Sequence, residues 1–285
     1  MRINTNINSL NAQESSTKTS AKLASSLEKL SSGLRINKAS DDASGLSIAD
    51  KLRTQASSLG QSISNGNSAA ALTQIADKAM GEQSNILDVV KQKLLQASTV
   101  TTSQEGRKAI GKDIHKLLDQ IDNIASQTNY NSQTLLQASA ASSAATDKLT
   151  FQMGETSSDV IATAGSVRAN VSGLTLDSLS QATTAASAGM TQTAASSYLD
   201  DMDTALDTLN GWRSDFGSTQ NQLESSLRNM ATAKTNISAA ESVIRDVDYA
   251  AESANFNKQN IISQAGTYAM SQANSLQQNV MKLLQ

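Results

Sequence analysis

Apolar residues recur at a strict seven-residue interval toward the C-terminal end of the chain. The series continues without a miss through Met202, Leu209, Phe216, Leu223, Met230, Ile237 and Ile244. Leu199, Leu206 and Leu227 each lie three residues ahead of a member of this series. Such alternation of three and four residues keeps one narrow stripe on one side of a helix. The pattern predicts a helix over about residues 197–250, roughly 80 Å long, and a stripe of that length needs equally long partner helices.

Weaker helical spacing marks both ends of the chain. It is carried by Ile3, Ile7, Leu10, Leu23, Leu27, Leu30 and Leu34 at the N-terminal end, and by Ile262, Ala269, Leu276, Val280 and Leu283 at the C-terminal end. Each predicted helix is about 30 residues long and marginal alone in water. We therefore expect the two ends to pair with each other, or with copies from neighbouring chains.

Two further helices are predicted between these ends. Residues 44–100 keep the three–four spacing from Ala76 to Ala97, although Gly60 and Gly66 leave room for a bend. A third helix follows, with apolar positions from Ile110 to Ile124 and a capping box formed by Thr102 and Glu105. The segment Ser40-Asp41-Asp42 supplies the N-cap of the second helix.

Residues 138–198 differ in composition, being rich in Ala, Ser and Thr. The uncharged stretch 138–145 predicts a loop. Leu149, Phe151 and Met153 then alternate with polar residues, and Val160-Ile161 follows, which predicts a β-hairpin. A further strand is predicted over Val167 to Leu176.

Composition favours a slender helical protein over a compact globule. Aromatic residues make up 3% of the chain, and there is no Pro and no Cys. Two readings of the missing Pro remain open: long helices exclude it, or the chain crosses a membrane unfolded and must refold without slow X-Pro isomerisation. The start of the chain has no apolar core of a signal peptide, and no run approaches a membrane span. The net charge of −3 comes without a basic stripe, so we expect neither a nucleic-acid nor a membrane partner.

Residues that could carry chemistry are scarce. His115 is the one histidine, and without Cys a zinc site has no ligand set. The Asp41–Asp42 pair is explained by helix capping rather than by a metal. We therefore predict no catalytic centre, no metal and no cofactor.

Segments near both ends resemble the terminal signatures of bacterial flagellins. At the N-terminal end these are residues 27–37 (LEKLSSGLRIN) and 41–45 (DDASG). At the C-terminal end they are residues 244–252 (IRDVDYAAE), 264–266 (QAG) and 277–285 (QQNVMKLLQ). The resemblance covers about residues 1–137 and 197–285, and it is loose between them.

The pattern and the resemblance together predict a mainly α fold, a long antiparallel α-helical coiled-coil rod with a small β-hairpin region. The resemblance implies a terminal coiled-coil domain of residues 1–40 and 250–285, which would form the inner core of a filament. It also implies a long-helix rod domain of residues 41–137 and 197–249. A short variable region would occupy residues 138–196, in place of the large outer domains of many relatives.

The family's function implies a subunit that polymerises with itself into an extracellular filament for motility. Flagellins are exported unfolded through the flagellar type III apparatus and polymerise at the filament tip. The resemblance thus implies a filament cap protein, a hook–filament junction protein and an export chaperone as partners. Two alternatives remain open: the chain could itself be a hook–filament junction protein, or a cytosolic coiled-coil adaptor.

One segment departs from the family pattern for recognition by the flagellin-sensing Toll-like receptor. Family members that activate this receptor carry Arg at the position matching Val89 and Leu at the position matching Lys93. Here the surrounding residues are Asp88, Lys91 and Lys93. Because Val cannot replace a multidentate guanidinium, the resemblance implies weak or absent receptor activation. The alternative is that the change reflects packing between subunits.

Overall fold

The computed structural model describes residues 6–138, 146–163, 165–184 and 190–283, with backbone alone for 276, 277 and 279–283. Over these residues the chain forms six helices and two short strand pairs. In chain order the elements are α1 (Ile7–Ser32), α2 (Ala43–Ser98), α3 (Gln104–Gln127), β1 (Asn129–Tyr130), β2 (Gln133–Thr134), β3 (Thr150–Gln152), β4 (Val160–Ala162), α4 (Asp177–Thr184), α5 (Gln192–Arg245) and α6 (Tyr249–Leu283). Residues 1–57 with 234–285 form one compact unit, and residues 58–233 form a second. The predicted mainly α fold with long helices and a small β-hairpin is confirmed.

Capping groups set the starts of α2 and α3. The Asp42 carboxylate accepts hydrogen bonds from the N–H groups of Ser44 (3.0 Å) and Gly45 (2.9 Å), so capping by the predicted segment is confirmed. The prediction for α3 was wrong by one residue. Its N-cap is Ser103, whose hydroxyl accepts from the Gly106 N–H at 3.2 Å, rather than Thr102.

Helices α2 and α5 run antiparallel in the second unit. A Cβ placed on Gly66 would lie 2.8 Å from Leu227, and Asp77 is 3.2 Å from the Arg213 guanidinium. Lys91 forms an ion pair with Asp203. As the contact position on α2 moves toward the C-terminus of α2, the contact position on α5 therefore moves toward the N-terminus of α5. Helix α2 is continuous through Gly60 and Gly66.

Three long helices supply much of the core of this second unit, and residues 135–136, 149, 167–176 and helix α4 complete it. Buried apolar side chains include Leu72, Met80, Leu87 and Leu94 from α2, Ile114, Leu118 and Ile121 from α3, and Met202, Leu209 and Phe216 from α5. Aliphatic side chains at three–four spacing on each helix interlock at this centre. The apolar residues whose spacing predicted these helices therefore form the buried face of each helix.

The β-hairpin is confirmed, and a second one was missed. Strands β3 and β4 pair antiparallel with Phe151 opposite Ile161. Strands β1 and β2 form a smaller pair, joined at Asn131 and Ser132, whose φ angles are both positive (50° and 67°). Such a turn matches strand twist, but Asn-Ser is a weaker sequence signal for it than Asn-Gly.

The strand predicted over Val167 to Leu176 was wrong. The backbone there turns on itself: the Leu174 N–H donates to the Asn170 carbonyl and the Leu176 N–H to the Val171 carbonyl, both at 2.9 Å. Because these N–H groups find acceptors within the segment, they need no strand partner. The short helix α4 follows and was not predicted. The loop predicted over 138–145 lies, apart from residue 138, outside the described residues.

A buried glutamine ties this irregular segment to the helices. Gln83 of α2 is fully buried, and its Nε2 donates to the carbonyls of Ile121 (3.2 Å) and Ala169 (2.7 Å). One side chain therefore joins α2, α3 and the turn-forming segment. Its Oε1 has no hydrogen-bond partner among the described atoms.

Replacing this glutamine tests how much the link contributes. Gln83→Leu removes both hydrogen bonds and leaves the Ala169 carbonyl without its side-chain donor, which costs about 1–3 kcal/mol of unfolding free energy. Gln92→Leu, on an exposed position of the same helix, is the matched control and should change stability by less than about 0.5 kcal/mol. Urea unfolding of the three proteins measures the difference. Equal stability of both variants would contradict the assignment.

Candidate assembly surfaces

The two terminal helices pair antiparallel within the first unit. At one end the Asn6 side-chain amide donates to the Ala273 carbonyl at 3.2 Å. At the other end the Val247 N–H donates to the Gly33 carbonyl at 3.0 Å. The N-terminal part of α1 therefore packs against the C-terminal part of α6, and the C-terminal part of α1 packs against the N-terminal part of α6.

Small side chains line the facing surfaces of this pair. On α1 the buried and half-buried positions fall at three–four spacing and comprise Ser9, Ala12, Ser16, Thr19, Leu23, Ser26 and Leu30. On α6 the half-buried positions include Phe256, Gln259, Ser263, Gly266, Met270 and Ala273, at the same spacing. We call these two sets the small-residue seam. A heptad repeat is present, but Ser, Thr, Ala and Gly fill most of it.

Larger apolar side chains of both helices face the solvent. Ile7, Leu10 and Leu27 of α1 are each more than half exposed, at 57%, 55% and 57%. Ile261 and Tyr268 of α6 are exposed at 67% and 75%. Large side chains of this kind are stabilised by removal from water, so these two helices carry an uncovered apolar surface.

The residues predicted for the terminal coil divide between these two surfaces. Ile7, Leu10, Leu27, Ile262 and Ala269 are exposed, whereas Leu23, Leu30 and Leu34 are half-buried. Ile3 and the side chains of Leu276, Val280 and Leu283 lie outside the described residues. The predictions rested on the spacing of large apolar residues and therefore missed the small-residue seam. A heptad pattern that also counts Ser and Ala as buried positions would have predicted it.

The seven-residue series of α5 is buried over most of its length. Met202, Leu209, Phe216, Leu223 and Met230 lie in the second unit, each no more than 5% exposed. Ile237 and Ile244 belong to the first unit and are half-buried.

The turns that connect the helices of the first unit meet at a compact junction. Leu34 and Asp246 form an isolated β-bridge, and the Arg35 N–H donates to the Arg245 carbonyl at 2.6 Å. The Arg35 guanidinium donates to the Ile244 carbonyl, also at 2.6 Å. Gly33 has a φ of +73°, and a Cβ there would stand 3.0 Å from the Tyr249 hydroxyl. Glycine thus permits both the left-handed helix end and the close approach of Tyr249.

Charged side chains close this junction. The Arg245 guanidinium lies 3.6 Å from Asp50 and 3.9 Å from Glu241. On the N-terminal side of α2, Asp41 accepts from the N–H groups of Asn37 and Lys38, each at 3.1 Å. These hydrogen bonds hold the pKa of the Asp41 carboxyl below its ordinary value. The segments 27–37 and 244–252, distant in sequence, therefore meet in space.

Neither a metal nor a membrane site emerges from the described part of the chain. No group of three or more His, Asp or Glu side chains is placed there to hold an ion. None of its helices is long and apolar enough to cross a bilayer.

Comparison with known proteins identifies the family. The bacterial flagellin N-terminal helical region matches residues 3–141, and the bacterial flagellin C-terminal helical region matches residues 199–284. The chain belongs to the bacterial flagellin family. The junction described above thus joins the two matched regions, since it contains residues from each match.

Individual relatives agree with this assignment. The chain is 35% identical over 286 residues to a flagellin of Halalkalibacterium halodurans, and the alignment covers all of both chains. It is 47% identical over 180 residues to flagellin A of Helicobacter felis, covering 63% of this chain and 33% of that protein. The chain therefore spans only about a third of the length of the longer Helicobacter flagellins that it matches.

A solved structure supports the fold alone. The putative flagellar hook-associated protein from Vibrio parahaemolyticus superposes with a TM-score of 0.58 at 12% identity, covering 72% of this chain and 99% of that one.

In this flagellin-family chain the receptor-equivalent segment lies on α2. Asp88 and Val89 are exposed. Lys91 forms its ion pair with Asp203 of α5, and Lys93 lies 3.1 Å from Asp113 of α3. Both lysine head groups are therefore engaged with neighbouring helices, and Val89 presents a short apolar side chain to solvent.

Two substitutions in adjacent residues of α1 test the division into two surfaces. Ser26 is 4% exposed in the small-residue seam, so Ser26→Leu forces α1 and α6 apart and costs about 1–3 kcal/mol. Leu27→Gln alters an exposed position with a residue of similar helix propensity. In the monomer, amide hydrogen exchange should accelerate across both helices for Ser26→Leu and stay unchanged for Leu27→Gln. The reverse pattern would show that α1 packs through its large apolar face.

Proposed function

We propose that the chain is the structural subunit of a bacterial flagellar filament and assembles with copies of itself. The observation that carries this proposal is the arrangement of α1 and α6. They pair through small side chains and leave Ile7, Leu10, Leu27, Ile261 and Tyr268 in water. A second copy supplies the apolar cover that one chain lacks.

Burial of these side chains provides the driving force. Each Å² of apolar surface removed from water contributes about 25 cal/mol, repeated at every subunit contact. This gain offsets the translational and rotational freedom that each subunit loses on joining the filament. Contacts between different surfaces of identical copies propagate a helical filament where their rotation does not close a ring.

The domain arrangement proposed for this function follows the family. Residues 1–40 and 250–285 would form the inner core of the filament and would include the exposed apolar side chains. Residues 41–137 and 197–249 would form the next layer, with the short region 138–196 at the outside. Family membership also supports export through the flagellar apparatus, an extracellular location, and a cap protein, a junction protein and an export chaperone as partners.

A structural role is favoured over the alternatives. Flagellins are structural proteins rather than enzymes, and full-length identity to a flagellin favours a filament subunit over a junction protein or a cytosolic adaptor. A junction protein would form only a short zone, so filament length separates these possibilities.

Electron microscopy of the purified chain in ammonium sulfate tests the proposal, because sulfate strengthens apolar burial. Wild type should give long uniform filaments. Deletion of residues 1–36, or of 250–285, should leave a folded, soluble protein that does not polymerise. Leu27→Gln should raise the critical concentration while the monomer stays folded. Filaments of normal length from either deletion would contradict the role assigned to the ends.

Receptor activation gives a second, independent prediction. Because Val89 offers no guanidinium and Lys93 is paired with Asp113, the wild-type chain should activate the flagellin-sensing Toll-like receptor weakly or not at all. Val89→Arg with Lys93→Leu should increase the response, and Val89→Ala should not. Signalling in receptor reporter cells, measured for the wild type, the variants and an agonist flagellin, tests this prediction. A wild-type response equal to that of the agonist would refute the prediction.

A further inference from the structure

Helix α3 carries an exposed basic face. Residues 104–127 contain four Lys and Arg, all before residue 117, and four Asp and Glu, of which Asp119 lies one helical turn beyond Lys116. Lys108 is paired with Glu105 at 3.0 Å. Lys112 and Lys116, one helical turn apart, are exposed and form no ion pair within the described part of the chain. We call Lys112 and Lys116 the basic face.

Helix α5 carries an exposed acidic face. Residues 197–211 contain four Asp and neither Lys nor Arg. Asp203 is paired with Lys91. Asp200 and Asp207 share its side of the helix, are exposed, and meet no cation among the residues described. We call Asp200 and Asp207 the acidic face.

The two faces flank α2 within the second unit. Lys91 reaches α5 through Asp203, whereas Lys93 reaches α3 through Asp113. Side chains two residues apart on a helix point in nearly opposite directions, at about 100° per residue. Helix α5 thus packs beside one flank of α2 and helix α3 beside the other, and all three share one core. The two faces lie on the exposed sides of their helices and form no ion pair with each other within the described chain, whereas neighbouring copies can bring them together.

We propose that the basic face of one copy docks on the acidic face of a second copy. This inference rests on the proposed function, and it names a contact that the terminal helices do not supply. Because the two faces differ, the contact is heterologous and repeats from subunit to subunit. Apolar burial at the chain ends supplies most of the affinity, and this contact fixes the relative orientation of neighbours and speeds their encounter.

The opposed charges favour a second copy over other occupants. A nucleic acid would be attracted to Lys112 and Lys116 but repelled by Asp200 and Asp207. Another copy of the chain satisfies both faces at once. The contact is exposed to solvent, so salt must weaken it.

Charge reversal provides the test, by seeded filament growth of the full chain. Lys112→Glu with Lys116→Glu should slow elongation about tenfold or more, because like charges then meet across the contact. Asp200→Lys with Asp207→Lys should do the same. Lys78→Glu with Lys148→Glu, two exposed lysines elsewhere in the second unit, matches the net charge of the first variant and should elongate like wild type.

The most informative experiment mixes the two charge-reversed variants. Each variant alone should elongate slowly, and an equimolar mixture should regain the wild-type elongation rate. In the mixture, the acidic α3 of one variant can meet the basic α5 of the other. The four substitutions combined in one chain should recover as well. The defects should shrink as salt is raised from about 0.1 M to about 1 M, where the screening length falls from about 10 Å to about 3 Å.

Failure of this inference is distinguishable from failure of the proposed function. If wild type elongates and all reversed variants elongate equally, the contact is absent and the filament role stands. If the reversed variants fail but neither mixture nor combination recovers, the two faces do not meet each other. If wild type itself never elongates, the proposed function fails.

Discussion

The pairing of the two chain ends through small side chains is the constraint on which the rest of the account depends. Ser, Thr, Ala and Gly let α1 and α6 approach closely, but they remove little apolar surface from water. Larger side chains such as Leu27 and Tyr268 therefore remain outside the pair. A terminal unit built in this way folds within one chain and leaves apolar side chains exposed, and we propose that another copy covers them.

The second unit follows the opposite rule. Its core buries Met80, Leu87, Phe216 and their neighbours completely or nearly so, and a buried glutamine fixes the irregular segment against the helices. It buries most of its large apolar side chains within the chain, although Leu95 and Val100 are 48% and 81% exposed. We propose that apolar burial at the chain ends supplies most of the assembly affinity, and that charges on α3 and α5 of the second unit fix the orientation of neighbouring copies.

Periodicity predicted this second unit well, because large apolar residues there are buried within the chain. The long helices α2, α3 and α5 and the hairpin at Phe151 follow directly from three–four and alternating spacing, whereas the short helix α4 does not. Predictions failed where backbone groups find local partners, as at Val167 to Leu176, where turns replace a strand. They also missed the cap at Ser103 by one residue, since Thr102 and Ser103 carry equivalent hydroxyls.

The terminal helices show why a single sequence leaves assembly surfaces ambiguous. The spacing of Ile7, Leu10 and Leu27 indicates a buried face, but it does not say which molecule buries it. Within the chain, α6 packs against the face of α1 that carries Ser16, Thr19 and Ser26. These residues follow a heptad spacing, but they are polar, so the spacing of apolar residues does not reveal it. Exposure in one folded chain separates the two faces, which is information that spacing does not contain.

The most direct measurement is thiol accessibility in monomer and filament, since the chain has no cysteine of its own. Single variants Ser26→Cys and Leu27→Cys would be treated with a small alkylating reagent before and after polymerisation. The thiol at position 26 should react slowly in both states, whereas the thiol at position 27 should react rapidly in the monomer and slowly in the filament. Rapid reaction at position 27 within intact filaments would show that assembly does not cover the large apolar face of α1.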